Sequence, residues 1–234
     1  MEKSSSFAIP QTERRIVLAF MAVGFAHLAI GILMGILQAL QHAGIDLYGY
    51  TPMIMHYYQG LTIHGVFNVF IFPTLFIGGF LTFVTVRGLQ RPMQSNALNW
   101  GVAVTMFLGV LLIDWALLTN QASVLWTAYA PLKAHPFYYL GMVLVVVGTW
   151  LLMANIVLTH RAWKKEHPGE RTPLITFGAI VTVVMWALGS LGIAAEFLFF
   201  LIPMAAGWVE GTDPLLTRTL FWMSGHPIVY FLVL

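Results

Sequence analysis

Residues 61–86 read LTIHGVFNVFIFPTLFIGGFLTFVTV, twenty-six positions without one Asp, Glu, Lys or Arg. A helix crossing about 30 Å of hydrocarbon needs roughly 20 such residues, so this stretch is long enough to span a bilayer. Four more runs of the same character lie at 16–40, 98–118, 137–159 and 174–205. Between them stand polar, punctuated segments such as RGLQRPMQSN and RAWKKEHPGERTP. The pattern predicts an all-α integral membrane helix bundle, built as one domain over residues 1–234, with no internal repeat or soluble linker. Composition agrees: 59% of the 234 residues are hydrophobic and 9% charged. Soluble domains carry about 25% charged residues, so this chain cannot cover a water-facing surface.

The opening MEKSSSFAIPQTERR is polar, and the apolar run after it, Ile16 to Leu40, exceeds a signal-peptide core and has no small-residue cleavage site. It reads as a retained span. Lys and Arg then sort by loop. Lys3, Arg14, Arg15, Arg87, Arg91, Arg161, Lys164, Lys165 and Arg171 fall on one side, Lys133 and Arg218 on the other. By the positive-inside rule the N-terminus is cytoplasmic. The basic balance is thus a topology signal, and a net charge of +2 gives no footing for nucleic acid. A sixth apolar segment, 219–234, has sixteen residues. At 1.5 Å per residue it covers about 24 Å, less than the hydrocarbon core. The expectation is five complete spans plus most of a sixth, in a chain that is incomplete.

There is no cysteine, so disulfides and thiolate metal sites are excluded; a metal would fall to histidine, methionine or oxygen. Of eight histidines, His42, His56, His135, His160 and His167 lie in loops or at span ends, where water reaches them. His27, His64 and His226 lie within spans, where an ionisable side chain needs a partner and marks a candidate site. His27 reads equally as a neutral imidazole bonded to a neighbouring helix. His64 has Gly60 and Gly65 nearby, which leave room for a flat ligand, and Asn68 four residues on, on the same face. It reads as a haem ligand or as a satisfied core histidine. His226 and Tyr230 share a helix face, and Pro227 frees the carbonyl of Met223. They read as a site, or as a bonded pair linking two helices. Both His64 and His226 are expected within a turn or two of the outer ends of their spans, at similar depth.

GHPIVYFLVL at 225–234 together with YYQGLTIHGVFN at 57–68 resembles subunit I of the haem-copper oxygen reductases, most closely the B family with its ba-type cytochrome c oxidases. The likeness extends through TAYAPLKAHPFYYLG, AAEFLFFLIP and GWVEGTDPLLTRTLFW. It implies that His64 is an axial ligand of a low-spin haem, b-type. It implies that His226 is one of three histidine ligands to a copper, and that Tyr230 is joined covalently to that histidine and supplies an electron and a proton during O₂ cleavage. Trp222, Ile228, Val229 and Tyr129 would surround the copper and the oxygen approach. Where the largest family has a glutamate in the His-Pro motif this chain has Ile228, and Tyr230 favours dioxygen over nitric oxide. Implied partners are a high-spin haem of a or b type, the C-terminal half of subunit I, a subunit II with a copper electron-entry site, cytochrome c and membrane lipid. The implied place is a prokaryotic cell membrane, and the implied activity O₂ reduction to water with proton pumping. Competing readings are a half that joins a separately made C-terminal half, an inert membrane scaffold, a nitric oxide reductase relative, and a transporter relaying protons through His27, His64 and Asp114.

Overall fold

The computed structural model describes residues 7–233; Lys3 and Leu234, which entered the readings above, lie outside them. Among the described residues there are six long helices and no strand: α1 Gln11–His42, α2 Tyr57–Leu89, α3 Asn96–Leu118, α4 Pro136–Glu166, α5 Leu174–Ala205 and α6 Pro214–Val233. The first five are each long and apolar enough to cross a membrane. Their outer surfaces carry Leu18, Leu33, Leu111, Phe199 and similar side chains, exposed in the isolated chain.

The helices match the expected spans and overrun most of them, because capping groups decide where a helix starts. Ser95 Oγ accepts from the Leu98 N–H at the start of α3. His135 Nδ1 accepts from the Phe137 N–H at 3.2 Å, with Pro136 in the first turn of α4, where a missing N–H costs nothing. α4 also runs on through RAWKKE to Glu166, placing Lys164 and Lys165 in its last turn against the negative helix end. α6 starts five residues before the expected 219, because Asp213 caps it: Oδ1 accepts from Leu215 N–H at 2.8 Å and Leu216 N–H at 3.2 Å. His226 consequently sits twelve residues into its helix, about 18 Å at 1.5 Å per residue. His64 is seven residues into α2. Counted from the helix starts, His64 is thus about two turns in and His226 more than three.

α3 packs closely along α4. A Cβ on Gly109 would lie 2.6 Å from the carbonyl oxygen of Gly141, and a Cβ on Gly141 equally close to that of Gly109. In lipid no hydrophobic force presses helices together, so this backbone contact is what packing has to work with. At the end of the bundle where α2 turns into α3, the connection is pinned by buried polar groups. Asn155 of α4 takes the Ser95 N–H at 3.0 Å and donates to the Ser95 carbonyl and to Asn99 Oδ1, both at 2.9 Å. Thr159 Oγ1 accepts from Gln94 N–H, and Glu13 of α1 from Met93 N–H.

Two helices change pitch in mid-span. Val66–Ile71 in α2 and Phe197–Leu201 in α5 are π-helical, with Phe72 N–H bonded to Phe67 O and Ile202 N–H to Phe197 O. Each segment ends two residues before a proline, Pro73 and Pro203. A proline ring clashes with the carbonyl four residues back, and widening the turn moves that carbonyl aside.

Gly109→Ala or Gly141→Ala forces the α3–α4 backbones apart and is expected to lower stability by about 1–3 kcal/mol. Gly178→Ala, where a Cβ meets open space, is the control and is expected to be neutral or better. The thermal denaturation midpoint of the detergent-solubilised complex checks both.

Candidate functional site

His64 is held from the α1 side. Its Nδ1 lies 2.8 Å from the carbonyl oxygen of Gly31, a group that can only accept, so Nδ1 carries the hydrogen and Nε2 keeps its lone pair. Asn68 approaches the same nitrogen at 3.1 Å through its amide nitrogen, and its Oδ1 is buried without a partner. Turning that amide over puts an acceptor at Nδ1–H. The close fit requires glycine on α1. A Cβ on Gly35 would stand 2.7 Å from His64 Cε1, and one on Gly31 would overlap the Asn68 amide.

The glycines expected to leave room for a flat ligand do something else. Gly60 receives the Tyr48 hydroxyl, 2.7 Å from where its Cβ would be, and Gly65 receives Trp126, 2.8 Å away. The space beside His64 on that side is filled by protein. Gly31 and Gly35, on a different helix, are the glycines that matter, and the run of small residues in α1 was the available signal.

On α6 the rings of His226 and Tyr230 lie 4.6 Å apart, edge to face at 63°. Both are exposed, as are Trp222 and Val229 on the same face, while Ile228 is buried. Among the described residues no hydrogen bond joins His226 to another group, so the pair does not tie two helices together. Trp222 Nε1–H donates to the Tyr129 hydroxyl, joining two residues singled out from the sequence. The two candidate sites are linked by a residue the sequence reading passed over. Trp126, packed on Gly65, stacks edge-on against Phe221 at 4.8 Å and approaches Trp222 at 6.3 Å.

Two intramembrane acids complete the inventory. Asp114 of α3 meets His27 of α1, with Nε2 3.1 and 3.2 Å from the two carboxylate oxygens. His64 bonds to neither, so the three do not form a relay. Glu196 was missed, although a charge inside the fifth apolar run is the same signal that flagged His27. It is fully buried, both carboxyl oxygens lack partners, and it immediately precedes the π-helical turn of α5. The buried hydroxyl of Tyr138 is likewise unpaired.

Against this geometry stand the comparisons with known proteins. The family model described as cytochrome c and quinol oxidase polypeptide I matches residues 15–234. The chain belongs to that family. It is 42% identical to cytochrome c oxidase subunit 1 of Thermus thermophilus, over 95% of this chain and 40% of that protein. Ubiquinol oxidase subunit 1 of Acetobacter aceti is 29% identical over 94% of this chain and 35% of the other. A solved haem-copper terminal oxidase dimer superposes with a TM-score of 0.90 at 36% identity, over 95% of this chain and 38% of that chain. The chain thus spans about two fifths of the length of these relatives.

This subunit I family implies haem and copper, and the residues present fit them in part. His64, with Nδ1–H pinned to a carbonyl and Nε2 free, is in the tautomer that an iron ligand requires. His226 has an exposed, unbonded imidazole that can serve as one ligand of a metal. Among the described residues no three His, Cys, Asp or Glu side chains gather into a metal-binding group, so further copper ligands would have to come from elsewhere.

Glu196→Gln keeps the shape of the side chain and is expected to change stability by less than about 1 kcal/mol, since no partner is lost. Glu196→Ala opens a cavity and is expected to lose about 2–4 kcal/mol. Equal losses in thermal denaturation would show that the carboxyl has polar partners after all.

Proposed function

We propose that residues 1–234 are the N-terminal portion of one membrane domain, the catalytic subunit of a terminal respiratory oxidase of the B family, ba-type. The complete complex would reduce O₂ to water with electrons from cytochrome c and couple this to proton pumping. The observation that carries the reading is His64: a family member presents, at membrane depth, an imidazole whose tautomer is fixed for ligation by a backbone carbonyl.

Haem and copper, when bound, supply the redox chemistry of oxygen reduction; the chain supplies ligation, orientation and protons. His64 Nε2 would hold the low-spin haem, of b type, and the Gly31 carbonyl keeps the ring from turning. His226 would hold the copper next to a high-spin haem. Tyr230 stands beside the His226 ring and carries a phenolic hydrogen that can be given up together with an electron. The tyrosine, and Ile228 in place of a glutamate, support dioxygen as substrate and a proton route other than the one through that position. Trp222, held by Tyr129, and Val229 flank the same exposed face. That face of α6 suits cover by the C-terminal half of the subunit, with a subunit II bearing the copper electron-entry site as a further partner. The excess of Lys and Arg at the end where α2 turns into α3 supports a cytoplasmic N-terminus in a prokaryotic cell membrane.

The test is a reduced-minus-oxidised optical spectrum, with and without CO, of the complex purified from its native membrane through this chain. A low-spin haem band and a CO-shifted high-spin band are expected; a complex without haem would overturn the proposal. His64→Ala is expected to abolish the low-spin band. His226→Ala is expected to retain that band while copper content falls and O₂ consumption stops. Gly35→Val is expected to reduce low-spin haem content by displacing the imidazole, whereas Gly60→Ala displaces only the tip of Tyr48 and should leave it unchanged.

A further inference from the structure

The His27–Asp114 pair is unused by any role given above. His27 Nδ1 lies 2.8 Å from the Val23 carbonyl, which only accepts, so this nitrogen carries a hydrogen. The contact from Nε2 to the Asp114 carboxyl needs one more proton, held either on the ring or on the acid. In both arrangements the pair is neutral overall. One proton more makes it a cation, one fewer an anion. His27 is buried, and the Asp114 side chain is 23% exposed in the isolated chain.

The pair sits close to the proposed haem ligand. Gly31, whose carbonyl takes the His64 hydrogen, is one helical turn beyond His27 on the same face of α1, about 6 Å along the axis. Phe67, three residues after His64, places its ring edge against the His27 ring at 4.6 Å. Asp114 is four residues before the end of α3 at Leu118, about 6 Å from the face where α1 ends and α2 begins. The helices packed on α1 bring few other titratable groups. α2 carries His64 itself, with Tyr57 and Tyr58 at its start and Arg87 near its end; α3 carries Asp114 alone. On α1, Glu13, Arg14 and Arg15 lie three turns or more away on one side and His42 four turns away on the other. Asp114 is thus the charge that faces His27.

We propose that His27–Asp114 is a proton-binding site linked to the oxidation state of the centre held by His64. This rests on the low-spin haem reading given above. When one electron arrives at that centre, one proton from water at the adjacent face joins the pair, and it returns to water when the electron leaves. Only an N–H or O–H bond is made and broken, and charge balances. At a separation on the order of 10 Å and an effective dielectric constant of about 20, the electron changes the proton affinity of the pair on the order of tenfold. A buried ion pair adds little to stability by itself, so a tether between α1 and α3 is a weak reason for placing two ionisable groups there.

The experiment is a redox titration of the low-spin haem band in the purified complex at a series of pH values, with redox-induced infrared difference spectra. In the unaltered complex the midpoint should fall as pH rises through the range where the pair titrates, and a carboxyl C=O signal should accompany reduction. Asp114→Asn should flatten that part of the dependence and remove the signal while retaining the haem band. The double variant His27→Leu with Asp114→Leu, which leaves no unpaired charge, carries the same expectation and serves if the single variant does not assemble. An unchanged pH dependence and carboxyl signal in either variant overturns the proposal and leaves the pair a tether only. A missing low-spin band in the unaltered complex is a different failure, of the haem reading itself.

Discussion

The hydrogen bond from His64 Nδ1–H to the Gly31 carbonyl organises one side of this molecule. A carbonyl inside a helix already accepts from the N–H four residues on, here that of Gly35, and has a second lone pair to spare. Ordinarily side chains hide it. With glycine at both 31 and 35, one turn of α1 has no side chains on that face, and the bare backbone can meet an imidazole directly. In a bilayer no water competes for the carbonyl, so the bond that holds the ring also dictates which nitrogen keeps its lone pair. Around that contact α1 and α2 run close together, with Asn68 against Gly31 and Phe67 against His27.

Lipid changes what a polar residue has to do. Asn155 engages both Ser95 backbone groups and Asn99, and thereby locks a connection to the body of the bundle. Gln59 does the same at the opposite end, donating to the carbonyls of Met53 and Leu117 and accepting from Met55 N–H. Such side chains are satisfied and act as fixtures. Glu196 and Tyr138 are buried with polar atoms unpaired. Burying a polar atom unpaired is unfavourable, and groups kept in that state mark places where something besides packing is at stake.

The spans were legible because the bilayer imposes a single length on every crossing helix and penalises charge along it. Their exact ends were less so, since a cap such as Asp213 acts through one or two hydrogen bonds that hydropathy does not register. That is why α6 begins earlier than its apolar segment and carries His226 deeper. The ionisable residues His64 and His226 were findable because their type is rare at that depth, and Asp114 entered for the same reason. Their partners were not findable. Which glycine faces which ring depends on helix rotation and pairing, so Gly60 and Gly65, near His64 in sequence, were weighed where Gly31 and Gly35 act. Trp126 lies in a loop, and its place between the two sites is set by tertiary packing alone.

The π-helical turns have a consequence for how this sequence tolerates change. Each such turn takes up an extra residue, so it rotates everything on one side of it by about 100° relative to an unbroken α-helix. Pro73 therefore acts as a phase setting for α2: it decides which side of the helix His64 presents, from nine positions away and without touching it. Pro203 does the same for Glu196 in α5. Residues before and after each turn obey different helical frames, and a hydrophobic stripe drawn straight through either helix would point half of it the wrong way. In such a chain a proline that lines no site can still determine where a site points.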